Sequence, residues 1–139
     1  MRKITELLIL SSISPLVFAA ENYSIVERFI EAFNQHDVSA MLELTESDLH
    51  WMSVAGQNLS IEASGQSELR DSMKAYFEST PSARSNILSI RESGPFVHTL
   101  EQAVWSAGGV ERNQCSIAVY ELEANKIRNV WYFPEHSCP

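Results

Sequence analysis

Glu101 is the residue of this sequence that is best placed for acid–base chemistry. It lies between Thr99 and Ala103, and Trp105 follows in the same phase of an alternating pattern. Alternate residues of a β-strand point to one face, so these side chains can share an apolar pocket. Burial there would raise the pKa of the carboxyl and suit it to act as a general acid or base. Two alternatives fit the same residues: an ion pair with Arg128, or a register shift that leaves Glu101 in solvent.

Aromatic side chains of two kinds accompany this carboxyl. Tyr120 and Tyr132 lie in later alternating segments and are candidates to orient a ligand carbonyl or to donate to an oxyanion. Trp51 and Trp105 are candidates to stack on a ligand ring. All four are also compatible with a packed core in which their polar atoms are satisfied internally.

Other kinds of site are not predicted. No two of the four histidines have the i, i+4 helical spacing that suits a metal ion, and no Ser–His–Asp order or glycine-rich phosphate loop is present. We therefore predict no metal, no nucleophile and no cofactor. The net charge of −8, from 18 acidic and 10 basic residues, argues against a nucleic-acid or anionic-membrane partner.

Helices are predicted in the first half of the chain. Apolar residues recur every four positions over residues 25–35, and Ser24 begins a capping box before them. The other two predicted helices are a short one over residues 38–45, capped by Asp37, and one between Gly65 and Pro81.

Strands dominate the second half, where the period of the apolar residues changes to two. The predicted strands are residues 48–54, 58–63, 85–92, 96–107, 111–122 and 126–133. Helices followed by hairpin-linked strands indicate an α+β fold, and turns this short require antiparallel pairing. A curved sheet of about four to six strands, covered by three helices, would enclose a cavity.

The N-terminus has the features of a secretory signal peptide. Arg2 and Lys3 precede an apolar run over residues 7–18, and small residues follow, so cleavage is expected after Ala19 or Ala20. The alternative, a membrane anchor, needs roughly 20 apolar residues, more than this run provides. The expected product is one exported domain, residues 20–139, periplasmic or secreted and not attached to a membrane.

Export bears on the two cysteines of the chain. An oxidising compartment would permit a disulfide between Cys115 and Cys138. Two free thiols fit the sequence as well, because spacing alone does not reveal the distance between the side chains.

Several segments together resemble a known family. In chain order they are residues 29–37 (FIEAFNQHD), 41–44 (MLEL), 48–51 (DLHW), 65–70 (GQSELR), 76–77 (YF), 119–128 (VYELEANKIR) and 130–133 (VWYF). This ordered set resembles SnoaL-like domains of the nuclear transport factor 2-like superfamily. The resemblance implies a cone-shaped, cystatin-like α+β fold. It implies no single activity, because the superfamily includes isomerases, cyclases, dehydratases, epoxide hydrolases and binding domains.

The resemblance also suggests which chemistry is missing and which residues face the cavity. Phe29, Ser53 and Ala118 occupy the positions at which ketosteroid isomerases of this superfamily carry a tyrosine and two acids, so a conventional steroid isomerase is not expected. The residues that it predicts for a ligand are Phe29, Trp51, Ser53, Met73, Trp105, Tyr120, Arg128 and Tyr132, with Glu101 as the catalytic candidate.

A second surface is predicted on the outer face of the sheet. His98, Leu100, Gln102 and Val104 alternate on one strand, and Ile117 and Val119 on the next. An uncovered apolar face is buried when two copies pair, and many family members dimerise in this way, so we expect a homodimer.

Three functions fit these features. The first is binding of a small hydrophobic molecule in an aromatic-lined cavity. The second is an isomerase, cyclase or lyase in which Glu101 carries a proton and Tyr120 or Tyr132 donates to an oxyanion. The third is a protein-interaction module in which Trp51, Trp105 and Met73 fill the cavity.

Overall fold

The computed structural model describes residues 21–139, and the predicted signal peptide lies outside this range. The elements are α1 (Asn22–Asn34), α2 (Val38–Glu43), β1 (Thr45–Ala55), β2 (Asn58–Ser64), α3 (Gly65–Ser79), β3 (Arg84–Ser93), β4 (Phe96–Ala107), β5 (Val110–Glu123) and β6 (Lys126–Tyr132). Every predicted helix and strand is present, and most boundaries agree to within one or two residues. None of the helices in this range is long and apolar enough to cross a membrane.

The fold is the predicted α+β class. Six strands form one curved, unclosed sheet in the order β2-β1-β6-β5-β4-β3. Strands joined by a short turn pair in antiparallel fashion, as those turns require, whereas β2 and β3, which are separated by α3, form the two edges. The exception to the predicted antiparallel sheet is the pair β1 and β6, which is parallel. These two strands lie far apart in the chain, so no short turn determines their relative direction.

The helix N-termini differ in how they are capped. Asp37 caps α2 as predicted, because its carboxylate accepts a hydrogen bond of 3.0 Å from the Ala40 amide. The predicted capping box of α1 is wrong. Glu21 holds the N-cap position, and Ser24 lies inside the first turn, where its hydroxyl donates to the Glu21 carbonyl at 2.9 Å.

The main core lies between α1 and the concave face of the sheet. One face of α1 buries Ile25, Val26 and Phe29, which pack against alternate residues of β4, β5 and β6. A smaller cluster joins α2, α3, β1 and β2 near the β2 edge of the sheet. The helices therefore cover one face of the curved sheet, and much of the opposite face is open to solvent.

A disulfide ties the C-terminal tail to β5. Cys115 and Cys138 are bonded, with their Cα atoms 4.9 Å apart. Two backbone hydrogen bonds join the same region. The Cys115 amide donates to the His136 carbonyl at 2.9 Å, and the His136 amide donates to the Cys115 carbonyl at 2.8 Å. The tail thus continues the line of β6 beside β5 and stays close to the sheet.

Candidate functional site

A cavity of about 670 Å³ opens between α1, α3 and the concave face of the sheet. Six of the predicted site residues lie in its wall: Phe29, Trp51, Ser53, Met73, Glu101 and Tyr132. Carbon-rich side chains make up most of this wall, and the polar groups are few. Sites for small organic molecules generally have this composition.

Glu101 lies at the base of the cavity and is only 4% exposed. Its Oε1 accepts a hydrogen bond of 2.7 Å from the Thr99 hydroxyl and another of 2.7 Å from the Tyr120 hydroxyl. Its Oε2 accepts one of 2.6 Å from the Tyr132 hydroxyl. The two tyrosine oxygens are themselves 3.0 Å apart. We call Thr99, Glu101, Tyr120 and Tyr132 the base cluster.

Three neighbouring strands bring the base cluster together. Thr99 and Glu101 are on β4, Tyr120 is on β5 and Tyr132 is on β6. Ala118 of β5 is in register with Thr99 on one side and Tyr132 on the other. Because alanine adds only a methyl group, its neighbours have room to meet above it. The same residue that removes an acid from the isomerase pattern therefore provides space for Glu101.

Burial governs the ionisation of this cluster. Loss of water raises the pKa of the Glu101 carboxyl above its ordinary value, and the hydrogen bonds from Tyr132, Tyr120 and Thr99 offset part of the rise. Burial, reinforced by the neighbouring Glu101, also raises the pKa of Tyr120 and Tyr132 well above the usual range. Both tyrosines therefore keep their protons at neutral pH.

The aromatic wall next to the base cluster is built around Trp51. Its ring stacks on Tyr132, with centroids 5.3 Å apart and planes 19° from parallel. Phe29 also lies 5.8 Å from the indole and 6.4 Å from Tyr120. These aromatic contacts hold the indole in place, so it presents a defined apolar surface to the cavity.

The structure excludes the alternatives considered for Glu101. Arg128, the predicted ion-pair partner and ligand-binding residue, is exposed and pairs with Glu123 instead. Its placement in the cavity was wrong because β6 contains a bulge. Glu121 pairs with Asn129 and Leu122 with Ile127, which leaves Arg128 without a partner on β5. The extra residue changes the phase of the strand, so Ile127 is buried in place of Arg128.

Two other predicted residues lie outside the wall. Tyr120 is fully buried beneath it and is linked to the cavity through its hydrogen bonds with Glu101 and Tyr132. Trp105 is half-buried on β4, but Ala103 is the last residue of that strand to line the cavity. At about 3.3 Å per residue, Trp105 is roughly 7 Å further along, where the β4–β5 hairpin extends past the site.

Several residues that line the cavity were not predicted from the sequence. They are Tyr76, Arg84, Ser116 and the tail residues 133–135. The alternation of β5 could have revealed Ser116, which shares a face with Tyr120. Nothing in the sequence placed the tail there, because its position depends on the disulfide. Burial and the nearby Glu135 raise the pKa of Tyr76.

Two polar groups of the lining, on Arg84 and Ser53, are engaged with residues outside the cavity. The Arg84 guanidinium donates to the Ala83 carbonyl at 2.6 Å and lies 3.0 Å from the His36 ring nitrogen Nε2. Ser53 donates to Glu62 at 2.6 Å. Among residues 21–139, no group of three or more His, Cys, Asp or Glu side chains is arranged to hold a metal ion.

Sequence comparison supports the predicted family. The family model of the SnoaL-like domain matches residues 26–130, which include α1 from its second turn, the base cluster residues Thr99, Glu101 and Tyr120, and most of β6. No curated protein matches the chain significantly.

Solved structures share the fold. An uncharacterised cystatin-fold protein from Novosphingobium aromaticivorans superposes with a TM-score of 0.73 at 20% identity, over 84% of this chain and 100% of that one. A SnoaL-like polyketide cyclase from Agrobacterium tumefaciens superposes with a TM-score of 0.69 at 13% identity, over 85% of this chain and 93% of that one. TerC, co-crystallised with polyporic acid, superposes with a TM-score of 0.67 at 12% identity, over 80% of this chain and 88% of that one. At these identities the likeness is one of fold.

Proposed function

Because the chain belongs to the SnoaL-like domain family, we propose that it binds a small hydrophobic molecule between the aromatic wall and the base cluster. The observation that carries this proposal is the cavity itself. Its volume of about 670 Å³ falls within the usual range for small-molecule sites. Trp51 and Met73 lie in the wall and leave this space open, which argues against an interaction module with a filled interior.

The structural neighbours are consistent with this function. TerC was crystallised with polyporic acid, and the Agrobacterium protein is described as a polyketide cyclase. Both names associate this fold with small organic molecules. The low identities carry neither ligand over to this chain, so the identity of its own ligand has to come from its cavity.

An acid–base enzyme is the second candidate, and Glu101 favours it. A buried carboxyl that faces an apolar cavity is suited to carry a proton to or from a ligand. The isomerase, cyclase or lyase chemistry considered above would, however, need a donor for the developing oxyanion. The single protons of the Tyr120 and Tyr132 hydroxyls are both used in hydrogen bonds within the base cluster, so neither is free for that role in this structure.

Export and dimerisation are further proposals. The first 19 residues favour secretion, and a disulfide between Cys115 and Cys138 suits an oxidising compartment. Dimerisation is favoured by the outer face of the sheet, where Ile117 is exposed and Leu100 is half-exposed.

The binding proposal is tested with a pair of tryptophan variants. Trp51 lies in the wall, whereas Trp105 lies on the same sheet outside it. The full chain and the variants Trp51→Leu and Trp105→Leu would be titrated with 2-naphthol by calorimetry. Stacking contributes about 1 kcal/mol, so Trp51→Leu should weaken binding about fivefold, and Trp105→Leu should leave it unchanged. Equal binding by all three proteins, or no binding at all, would contradict the proposal.

A further inference from the structure

The base cluster determines the polarity of the ligand. Resting on the proposed function, we propose that the cluster offers hydrogen-bond acceptors and no donors to the cavity. Its preferred ligand is therefore a flat apolar molecule that carries a neutral hydroxyl or N–H donor at the end that reaches Glu101 and Tyr132. A ligand with only a carbonyl or ether oxygen at that end is disfavoured.

The first step is a count of protons. The three hydroxyl groups of Thr99, Tyr120 and Tyr132 carry one proton each, and each hydroxyl oxygen lies 2.6–2.7 Å from an oxygen of Glu101. A hydroxyl that donates to a partner within the cluster has no second proton to donate elsewhere. All donors of the cluster are therefore used within it.

The second step concerns the contact between the two tyrosines. Their oxygens are 3.0 Å apart, a hydrogen-bond distance, so a proton is required between them. The cluster thus has four contacts, and the three hydroxyls supply only three protons. A protonated Glu101 supplies the fourth. Protonation reverses the contact between Tyr132 and Oε2: the Oε2–H donates to Tyr132, Tyr132 donates to Tyr120, and Tyr120 donates to Oε1, which closes a ring.

This neutral ring fits its surroundings. Glu101 is almost wholly buried, and no Lys, Arg or His side chain within residues 21–139 forms an ion pair or hydrogen bond with it. An isolated buried charge is costly, whereas a neutral acid with all its hydrogen bonds made is not. No buried side-chain polar atom among residues 21–139 is left without a partner.

The third step asks which groups of the base cluster face the ligand. Glu101 and Tyr132 line the cavity, whereas Thr99 and Tyr120 lie behind them. The lone pairs that remain on the carboxyl and on the Tyr132 oxygen are acceptors in either direction of the ring. Ser116, in register with Glu101, also lines the wall. Its hydroxyl can either donate or accept, so it does not change the preference.

Trp51 defines the shape of the preferred ligand. Its ring is stacked on Tyr132, so a flat apolar body that lies along the indole brings its edge to the base cluster. A donor on that edge meets the acceptors. A ligand oxygen at the same place meets only the lone pairs of the base cluster, and it loses to the cluster the hydrogen bond that it had with water.

Three naphthalene probes test the proposal on the full chain. They are 2-naphthol, which has a donor, 2-methoxynaphthalene, which lacks one, and 2-naphthylmethylammonium, which is cationic. One hydrogen bond predicts that 2-naphthol binds about 5- to 10-fold more tightly than 2-methoxynaphthalene. Equal or tighter binding of the methoxy probe overturns this inference and leaves the proposed binding function standing. If the ammonium probe binds best, Glu101 is ionised and the neutral ring is wrong. If none of the three binds, the proposed function fails as well.

A variant and a spectroscopic measurement make the test independent of ligand affinity. Glu101→Gln introduces an amide N–H₂ into the cluster, so the preference for 2-naphthol over 2-methoxynaphthalene should disappear. The infrared difference spectrum between the wild type and this variant at neutral pH should show the C=O stretch of a protonated acid. A carboxylate band in its place would overturn the neutral ring, whatever the probes show.

Discussion

Each face of strands β4 and β5 carries some groups that depart from the usual rule of apolar residues inside and polar residues outside. Their concave face buries polar groups, including Thr99, Glu101 and the Tyr120 hydroxyl. Their convex face leaves apolar groups uncovered, and Ile117 is 46% exposed. The polar groups inside are tolerated because they satisfy one another. The apolar groups outside have no cover within the described chain. The two faces therefore support different proposals, binding of a small molecule on the concave face and dimerisation through the convex face.

The largest expected difference between the faces is in stability. Tyr120→Ala opens a void in the concave face and should lower the free energy of unfolding by about 4 kcal/mol. Ile117→Ala, on the same strand but on the convex face, should change it by less than about 0.5 kcal/mol. Urea denaturation measures both. The measurement is made at a protein concentration low enough to keep the chain monomeric, because a dimer would itself stabilise the fold. Similar losses from the two substitutions under that condition would mean that the chain itself covers the convex face.

Cys115 is the exception on the convex face, because the C-terminal tail covers it completely. Replacing both cysteines with alanine should lower the free energy of unfolding by about 3 kcal/mol, the value that loop entropy predicts for a disulfide between residues 23 positions apart. The freed tail should also leave the rim of the cavity less defined and weaken 2-naphthol binding. Reduction of the wild type with dithiothreitol serves as the matched measurement. Unchanged unfolding midpoints in both cases would contradict a role for the disulfide.

The buried acid Glu101 should make the stability of the protein depend on pH, and this effect belongs to the concave face alone. The folded-state pKa of Glu101 is raised above its ordinary value of 4.5, so the folded protein holds this proton more tightly than the unfolded chain does. The contribution of Glu101 to the free energy of unfolding is fully present below pH 4.5, and it is lost as the pH rises through the folded-state pKa. The loss is at most about 1.4 kcal/mol per pH unit. Glu101→Gln should remove this slope, as measured by urea denaturation from pH 4 to pH 8. A variant that keeps the wild-type slope would assign it to another group.

The smallest effect on stability is expected from a charge on the convex face. Ile117→Lys should change the free energy of unfolding by no more than about 0.5 kcal/mol, but it should convert a dimer to a monomer in sedimentation equilibrium. Val110→Lys is the matched control, because Val110 is exposed at the end of the same strand, in the hairpin with β4. A wild-type protein that sediments as a monomer would contradict the proposed interface.

The strand periodicity was a reliable guide wherever the alternation was unbroken. It placed Glu101 inside the sheet because β4 is regular from Thr99 to Ala103. It failed at Arg128, where a single bulge on β6 reversed the inward and outward positions. A bulge depends on how the neighbouring strand pairs, and the order of residues along one strand does not reveal that.

The local sequence by itself determined the helices, the strands, the hairpins and the family, because periodicity, turn residues and the Asp37 cap act between near neighbours in the chain. Only the tertiary structure decided the site. It placed Thr99, Tyr120 and Tyr132 around one carboxyl, used Ala118 to leave them room, and brought the tail to the rim through Cys138. These contacts depend on strand order and register. They join residues that are distant along the chain, so their geometry arises only when the sheet is assembled.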